Sequence, residues 1–211
     1  MVKKRQIRQN VTPKRMKNNL YKPQIVLGGA FSTGKTSVVN GVKSRLGGLA
    51  SYVGDGARTI LEEMGRPVES LSEQERKEFQ MEVFEEYLRQ ETSAQADPNT
   101  RVVISDGSLL EALAYSELVG VQKTLLNALK TITTTRRQVY TIIHLPTQHI
   151  QIENDSLRHT SEEYQQKVDE TIRRLQGELG FVSFDMKSHS IEARVKEVLA
   201  FIGIHRNAGV A

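Results

Sequence analysis

The segment GGAFSTGKTS, residues 28–37, sets Gly29, Gly34, Lys35 and Thr36 at the spacing G-x-x-x-x-G-K-[ST]. These residue types suit a polyphosphate. A triphosphate is polyanionic and needs many donors close together. Glycines let a backbone curl so that successive N–H groups point inward. The run from Gly29 through Ala30, Phe31, Ser32, Thr33 and Gly34 to Lys35, Thr36 and Ser37 would therefore wrap the phosphates, and the helix that follows would add its positive end. Lys35 would reach the β- and γ-phosphates and Thr36 would hold Mg²⁺. The expected ligand is a nucleoside triphosphate with Mg²⁺. No N-K-x-D guanine signature is present in the sequence, which leans toward ATP.

Two carboxylates and one arginine stand where phosphate chemistry would use them. Asp106 closes the apolar run RVVISD, the position of a metal-orienting acid. It could equally be an aspartate that only turns the chain at a strand end. Asp55 sits between glycines in GDGAR and has room to face a substrate as a base for an attacking hydroxyl, with Arg58 nearby to grip an anionic group. The competing reading of Asp55 is an N-cap for the helix that follows. ENDSLRHTSEEY has the placement of a mobile lid, from which Arg158 would swing onto the triphosphate; a surface pair with Glu162 is the alternative. The five histidines are too scattered to suggest a metal site.

These groups need elements to bring them together. QIVLG (24–28) reads as a strand before the loop, and SVVNGVKSRL (37–46) as a helix after it. LASYVG (49–54) is a second strand, and GARTILEEMG (56–65) a short helix stopped by Gly65 and Pro67. Ser72 and Glu75 form a capping box that opens a long helix to about Thr92. Strand 101–106, helices near 108–118 and 121–135, and strand QVYTIIHL (138–145) follow. Thr160 and Glu163 form a second box before a helix striped by Tyr164, Val168, Ile172, Leu175 and Leu179. FVSFD and SIEARVKEVLAFIG close the pattern as a strand and a helix. Alternation of this kind predicts an α/β fold: a parallel five-stranded sheet with helices on both faces. Ligands of such sheets bind at the carboxyl ends of the strands, where the loop, Asp55 and Asp106 should converge.

Composition narrows the rest. The 211 residues suit one domain, and no apolar run approaches the roughly 20 residues of a membrane span. There is no cysteine, which fits a reducing cytoplasm and leaves neither disulfides nor a thiolate zinc site. Residues 1–22 carry eight Lys/Arg and no acid, and the first acidic residue of the chain is Asp55. The remaining 21 basic and 25 acidic side chains give the body a formal charge of −4. The arm reads as a solvated, flexible tail or as a contact for nucleic-acid phosphates. The domain itself is expected over 23–205, with a lid near 148–160 and a short flexible tail at 206–211.

Taken together, GGAFSTGKTS, GDGARTILEEMG, VVISDGSLLEALAY and ENDSLRHTSEEY resemble, in order and spacing, the AAA-type P-loop family that groups with ribosylnicotinamide kinases and, more distantly, with nucleoside and other small-molecule kinases. The likeness spans roughly residues 24 to 203. It implies a nucleoside/nucleotide kinase-like P-loop NTPase that transfers the ATP γ-phosphate to a hydroxyl of a small, nucleoside-like acceptor. It implies that Lys35 and Thr36 bind phosphate and Mg²⁺, that Asp106 supports the metal and that Arg158 serves the lid. Asp55 with Arg58, Glu111 and Tyr115 would face the acceptor. The chain departs from the family at Gly107, where an arginine commonly follows the strand-end aspartate. A regulatory NTPase, or a kinase acting on nucleic-acid ends through the basic arm, is the competing expectation.

Overall fold

The computed structural model describes residues 21–147 and 161–208, except for the side chains of 204–208. Strands β1 (Gln24–Gly28), β2 (Ser51–Val53), β3 (Val103–Asp106), β4 (Tyr140–His144) and β5 (Ser183–Asp185) form one sheet in the order β2-β3-β1-β4-β5. All four pairings are parallel. The helices are α1 (Lys35–Leu46), α2 (Gly56–Met64), α3 (Glu73–Ala96), α4 (Leu109–Leu118), α5 (Lys123–Thr134), α6 (Glu162–Leu179) and α7 (Ile191–Ala208). The expected order of elements is the observed one, and the fold is that of a P-loop NTPase.

The strands are apolar on both sides because both faces are covered. Val26, Val53, Val103 and Ile142 point to one face, where α2 to α6 supply Leu61, Phe79, Val83, Leu113, Leu129, Val168 and Ile172. Their alternating neighbours Ile25, Leu27, Ile104 and Ile143 point to the other, against Val38 and Val42 of α1 and Val195 and Val198 of α7. The edge strand β5 is the exception, with all three residues exposed.

Local signals set most helix starts. The Ser72 box forms in full: Ser72 Oγ accepts from Glu75 N (3.3 Å) and Glu75 Oε2 accepts from Ser72 N (2.8 Å). α3 runs past Thr92 to Ala96, because no breaker intervenes before Asp97-Pro98. The second box does not form as expected. The cap of α6 is Ser161, whose hydroxyl accepts from Tyr164 N at 3.2 Å, which makes Tyr164 rather than Glu163 the third helical residue. Thr160 lies outside the described residues. Lys22, counted with the arm in the sequence, belongs to the folded body: its ammonium donates to the carbonyls of Ala94 and Asp97 and to Thr100 Oγ1.

Candidate active site

β1 ends in a tight loop that only glycine-rich backbone can follow. Gly29 has φ +126 and Gly34 φ +81, and a Cβ on Gly29 would lie 2.6 Å from the Leu145 carbonyl. Ser32 shares the left-handed region at φ 55. α1 starts at Lys35 with no side-chain cap and no acid in its first turn. Helices α2, α3, α4 and α6 are all capped by a side chain. The first N–H groups of α1 thus face the loop with the positive helix end behind them, an arrangement that attracts anions. Lys35 Nζ reaches back over the loop to the carbonyls of Gly29 (3.0 Å) and Ala30 (2.5 Å). An ammonium held there by carbonyl oxygens is poised to exchange them for phosphate oxygens.

The loop is anchored from behind by residues that the sequence reading does not single out. Gln165 of α6 donates to the Phe31 carbonyl at 2.7 Å. Arg194 of α7, 1% exposed, donates through Nη1 to Thr33 O (2.8 Å) and through Nε to Ser188 O (3.0 Å). Both come from more than 130 residues away in the chain, so no local pattern announces them.

Asp106 is buried at the end of β3, in register with Leu27 beside the start of the loop. The Gly107 N–H donates to Leu27 O at 3.1 Å. Thr36 lies in the first turn of α1, which starts past the carboxyl end of β1. One hydroxyl and one carboxylate are hard oxygen donors, the kind Mg²⁺ prefers. Among the described residues no group of three or more His, Cys, Asp or Glu could hold a metal alone. The donor set fits Mg²⁺ shared with ligand phosphates, not a protein cage.

Asp55 is the N-cap of α2, its Oδ1 accepting from Arg58 N at 3.1 Å, and it also borders a cavity of about 500 Å³. That cavity opens from Gly29, Phe31 and Lys35 toward Gly107, Glu111 and Tyr115, walled by α2, α3 and α4. Thr36 and Asp106 do not border it, and neither does Arg58. The wall residues Leu61, Phe79, Val83, Tyr87, Ala112 and Leu118 are apolar or aromatic; Gln80, Arg76, Glu69 and Glu73 add polar groups. Tyr164 of α6 stacks on Phe31 (centroids 6.1 Å apart, planes at 23°) and closes one side.

Glu111 lies beneath the loop. Its Oε1 is 3.4 Å from Gly29 N, its Oε2 accepts from the Ser108 hydroxyl, and a Cβ on Gly28 would be 2.8 Å from Oε1. Gly28, just before the motif, is therefore what admits the carboxyl. Burial pushes Glu111 above the usual carboxylate range, against the opposing pull of the Ser108 bond and the Lys35 charge. Next to it His144 is buried, with Nε2 2.7 Å from Asp169 Oδ1 and Nδ1 3.3 Å from the Gln176 amide. Burial pushes Asp169 up, but His144 and Arg173 outweigh it and hold its carboxyl below the usual range. Arg158 and the lid near 148–160 lie outside the described residues, as do residues 1–20 of the basic arm.

A family model described as "AAA domain" matches residues 24–194. The chain belongs to the AAA-domain family. No curated protein matches this AAA domain in sequence. Among solved structures it is similar to a NadR protein in complex with NR (17% identity, TM-score 0.61, 81% of this chain and 47% of that one). It is also similar to thymidylate kinase from Candida albicans (14%, 0.62, 89% and 93%) and deoxyadenosine kinase from M. mycoides with bound dATP (15%, 0.57, 86% and 99%). The AAA domain spans about half the length of the NadR chains it matches. At these identities the likeness shows a fold shared with P-loop kinases. Among the described residues no helix is long and apolar enough to cross a membrane.

Proposed function

We propose that this AAA domain is an ATP-dependent phosphotransferase that moves the γ-phosphate to a hydroxyl of a small, nucleoside-like acceptor. The observation that carries this reading is the cavity, which joins Gly29 and Lys35 of the loop to Asp55 and Glu111. An NTPase that only switches needs no such chamber beside its γ-phosphate position. A volume of about 500 Å³ lies in the range of small-molecule sites. Its aromatic lining, including Phe31, Tyr87, Tyr115 and Tyr164, favours a planar group; the similar NadR structure holds NR and the deoxyadenosine kinase structure holds dATP. The cations among the described lining residues are Lys35, at the loop, and Arg76, on the α3 wall.

In this mechanism the loop N–H groups and Lys35 bind and orient the β- and γ-phosphates. Thr36 and Asp106 would hold Mg²⁺, which supplies charge neutralisation across the phosphate oxygens. Asp55, at the cavity wall, takes the proton of the acceptor hydroxyl as its oxygen bonds to the γ-phosphorus and the bond to the ADP oxygen breaks. Phe31 and Tyr164 exclude water from one side of the chamber. Arg158 would add positive charge from the lid. Burial raises Glu111 above the usual carboxylate range, which weakens its competition with phosphates for the loop N–H groups.

The test is ADP formation with a panel of nucleosides and other hydroxylated small molecules, against RNA and DNA oligonucleotides with free 5′-hydroxyls. A small acceptor should stimulate turnover well above background hydrolysis. Stimulation by oligonucleotides alone, or by nothing, overturns this reading.

A further inference from the structure

Two carboxylates of the site, Asp55 and Asp106, are each followed by glycine, and one side chain touches both glycines. Tyr87 of α3 is 5% exposed and its hydroxyl donates to the Asp106 carbonyl at 2.9 Å. A Cβ on Gly107 would stand 2.5 Å from that hydroxyl oxygen, and Gly107 has φ +77, where an L side chain is strained. On its other side the ring flanks α2: a Cβ on Gly56 would lie 3.2 Å from two ring carbons.

We propose that Tyr87 is a positioning residue that aims Asp106 at the metal–phosphate position and fixes where Asp55 stands relative to it. The inference rests on the phosphotransferase reading and deepens it. The peptide between Asp106 and Gly107 is gripped on both edges. Its N–H donates to Leu27 O at 3.1 Å, on the strand that leads into the loop, and its carbonyl accepts from Tyr87. With both edges held, the peptide plane that follows Asp106 is fixed in part from α3, and with it the backbone from which the carboxylate extends. The same ring bears on the first residue of α2, so a shift of Tyr87 displaces both acids together. This also accounts for Gly107. A side chain there would occupy the space of the tyrosine hydroxyl and sit at a positive φ, so glycine is what fits beside Tyr87 in this position. Filling space would require only a ring; the buried hydroxyl is the part that reaches Asp106.

The test separates aiming from packing. Tyr87→Phe keeps the ring and removes the hydroxyl. ATP affinity is measured by calorimetry with and without Mg²⁺, alongside Tm. Tyr87→Phe should leave Mg²⁺-free ATP affinity within about twofold of wild type while reducing the Mg²⁺-dependent gain by about tenfold, the lower end for groups that orient a metal ligand. Gly107→Ala should show the same Mg²⁺ defect. Combined with Tyr87→Phe it should add little, because the nearest atom left facing that Cβ is Cζ at 3.3 Å. A lower Tm with an unchanged Mg²⁺ gain overturns the proposal, as do additive Mg²⁺ defects. Wild-type protein that fails to bind ATP under either condition overturns the phosphotransferase reading itself, and this inference with it.

Discussion

Arg194, on the last helix, donates to the carbonyl of Thr33 inside the phosphate loop at 2.8 Å, and the same guanidinium donates to Ser188 O at 3.0 Å. Glu197, one turn further on, accepts from the N–H groups of Lys187 and Ser188. The end of the chain therefore holds the loop near its start, and the loop's shape depends on α7 being docked.

Arg194→Met should destabilise the domain by about 2–4 kcal/mol, because it removes one buried and one partly buried charge-assisted bond to backbone carbonyls while keeping most of the apolar stem. ATP affinity should fall with it. Chemical denaturation and nucleotide titration on the same variant check both. Stability and affinity at wild-type levels would mean that the loop keeps its shape without α7.

Lys35→Ala should abolish tight ATP binding and leave Tm within a few degrees of wild type. The Lys35 ammonium bonds to Gly29 O and Ala30 O, groups of the loop it serves, and its side chain lies outside the buried core. Calorimetric titration and thermal unfolding decide the matter. Retained affinity would remove Lys35 from the site.

Asp55 and Asp106 should separate by the step each serves. Asp106→Asn should suppress both acceptor phosphorylation and background hydrolysis, since any phosphate chemistry needs the metal. Asp55→Asn should leave ATP binding and slow hydrolysis intact and cut transfer about 10²-fold or more, the scale of a general base. Asparagine still accepts the cap bond from Arg58 N, so α2 keeps its start. ADP release with and without acceptor reads the difference; equal loss of hydrolysis in both variants would refute the division.

A buried pair outside the cavity lining predicts a pH dependence. Burial pushes Glu91 up to about 7, even though Tyr140 donates to Oε1 and Arg136 lies nearby. Arg136 Nε is 3.3 Å from Oε2 but is not aligned for a hydrogen bond, so it acts as a neighbouring charge. The folded state holds this proton and the unfolded chain releases it near its ordinary value of 4.5. Stability should therefore fall as pH rises from about 4.5 to about 7 and level off above. Glu91→Gln should remove that slope and stabilise the protein at pH 8 by on the order of 1–3 kcal/mol. Urea midpoints between pH 4 and pH 9 test this; parallel curves for the two proteins would place the Glu91 proton elsewhere.

Much of the site is legible from short stretches because its physics is local. The glycines at 29 and 34 are demanded by positive φ, the Ser72 cap by the N–H groups it faces, and the apolar strands by burial on both faces. Where two neighbours offer the same chemistry, local reading slips. Thr160 and Ser161 both carry a hydroxyl suited to capping, and the cap of α6 is Ser161, with Tyr164 and Val168 packed on the core. Asp55 shows a different limit: cap and substrate-facing base read as alternatives along the chain, yet the carboxyl that caps α2 also borders the chamber, because α2 starts at its rim.

The amino-acid sequence by itself determined the glycine-rich loop, the alternation of strands and helices, and the placement of Asp55 and Asp106 after strand ends, since each follows from spacing and periodicity within a few residues. Only the tertiary structure decided what stands around them. Tyr87 reaches Asp106 across 19 residues, Gln165 reaches Phe31 across 134 and Arg194 reaches Thr33 across 161. The absence of a side chain at Gly107 acquires its meaning only when α3 packs a tyrosine against it. A hydrogen bond requires two groups within about 3 Å, and no property of either residue alone encodes that proximity. Folding the sheet supplies it.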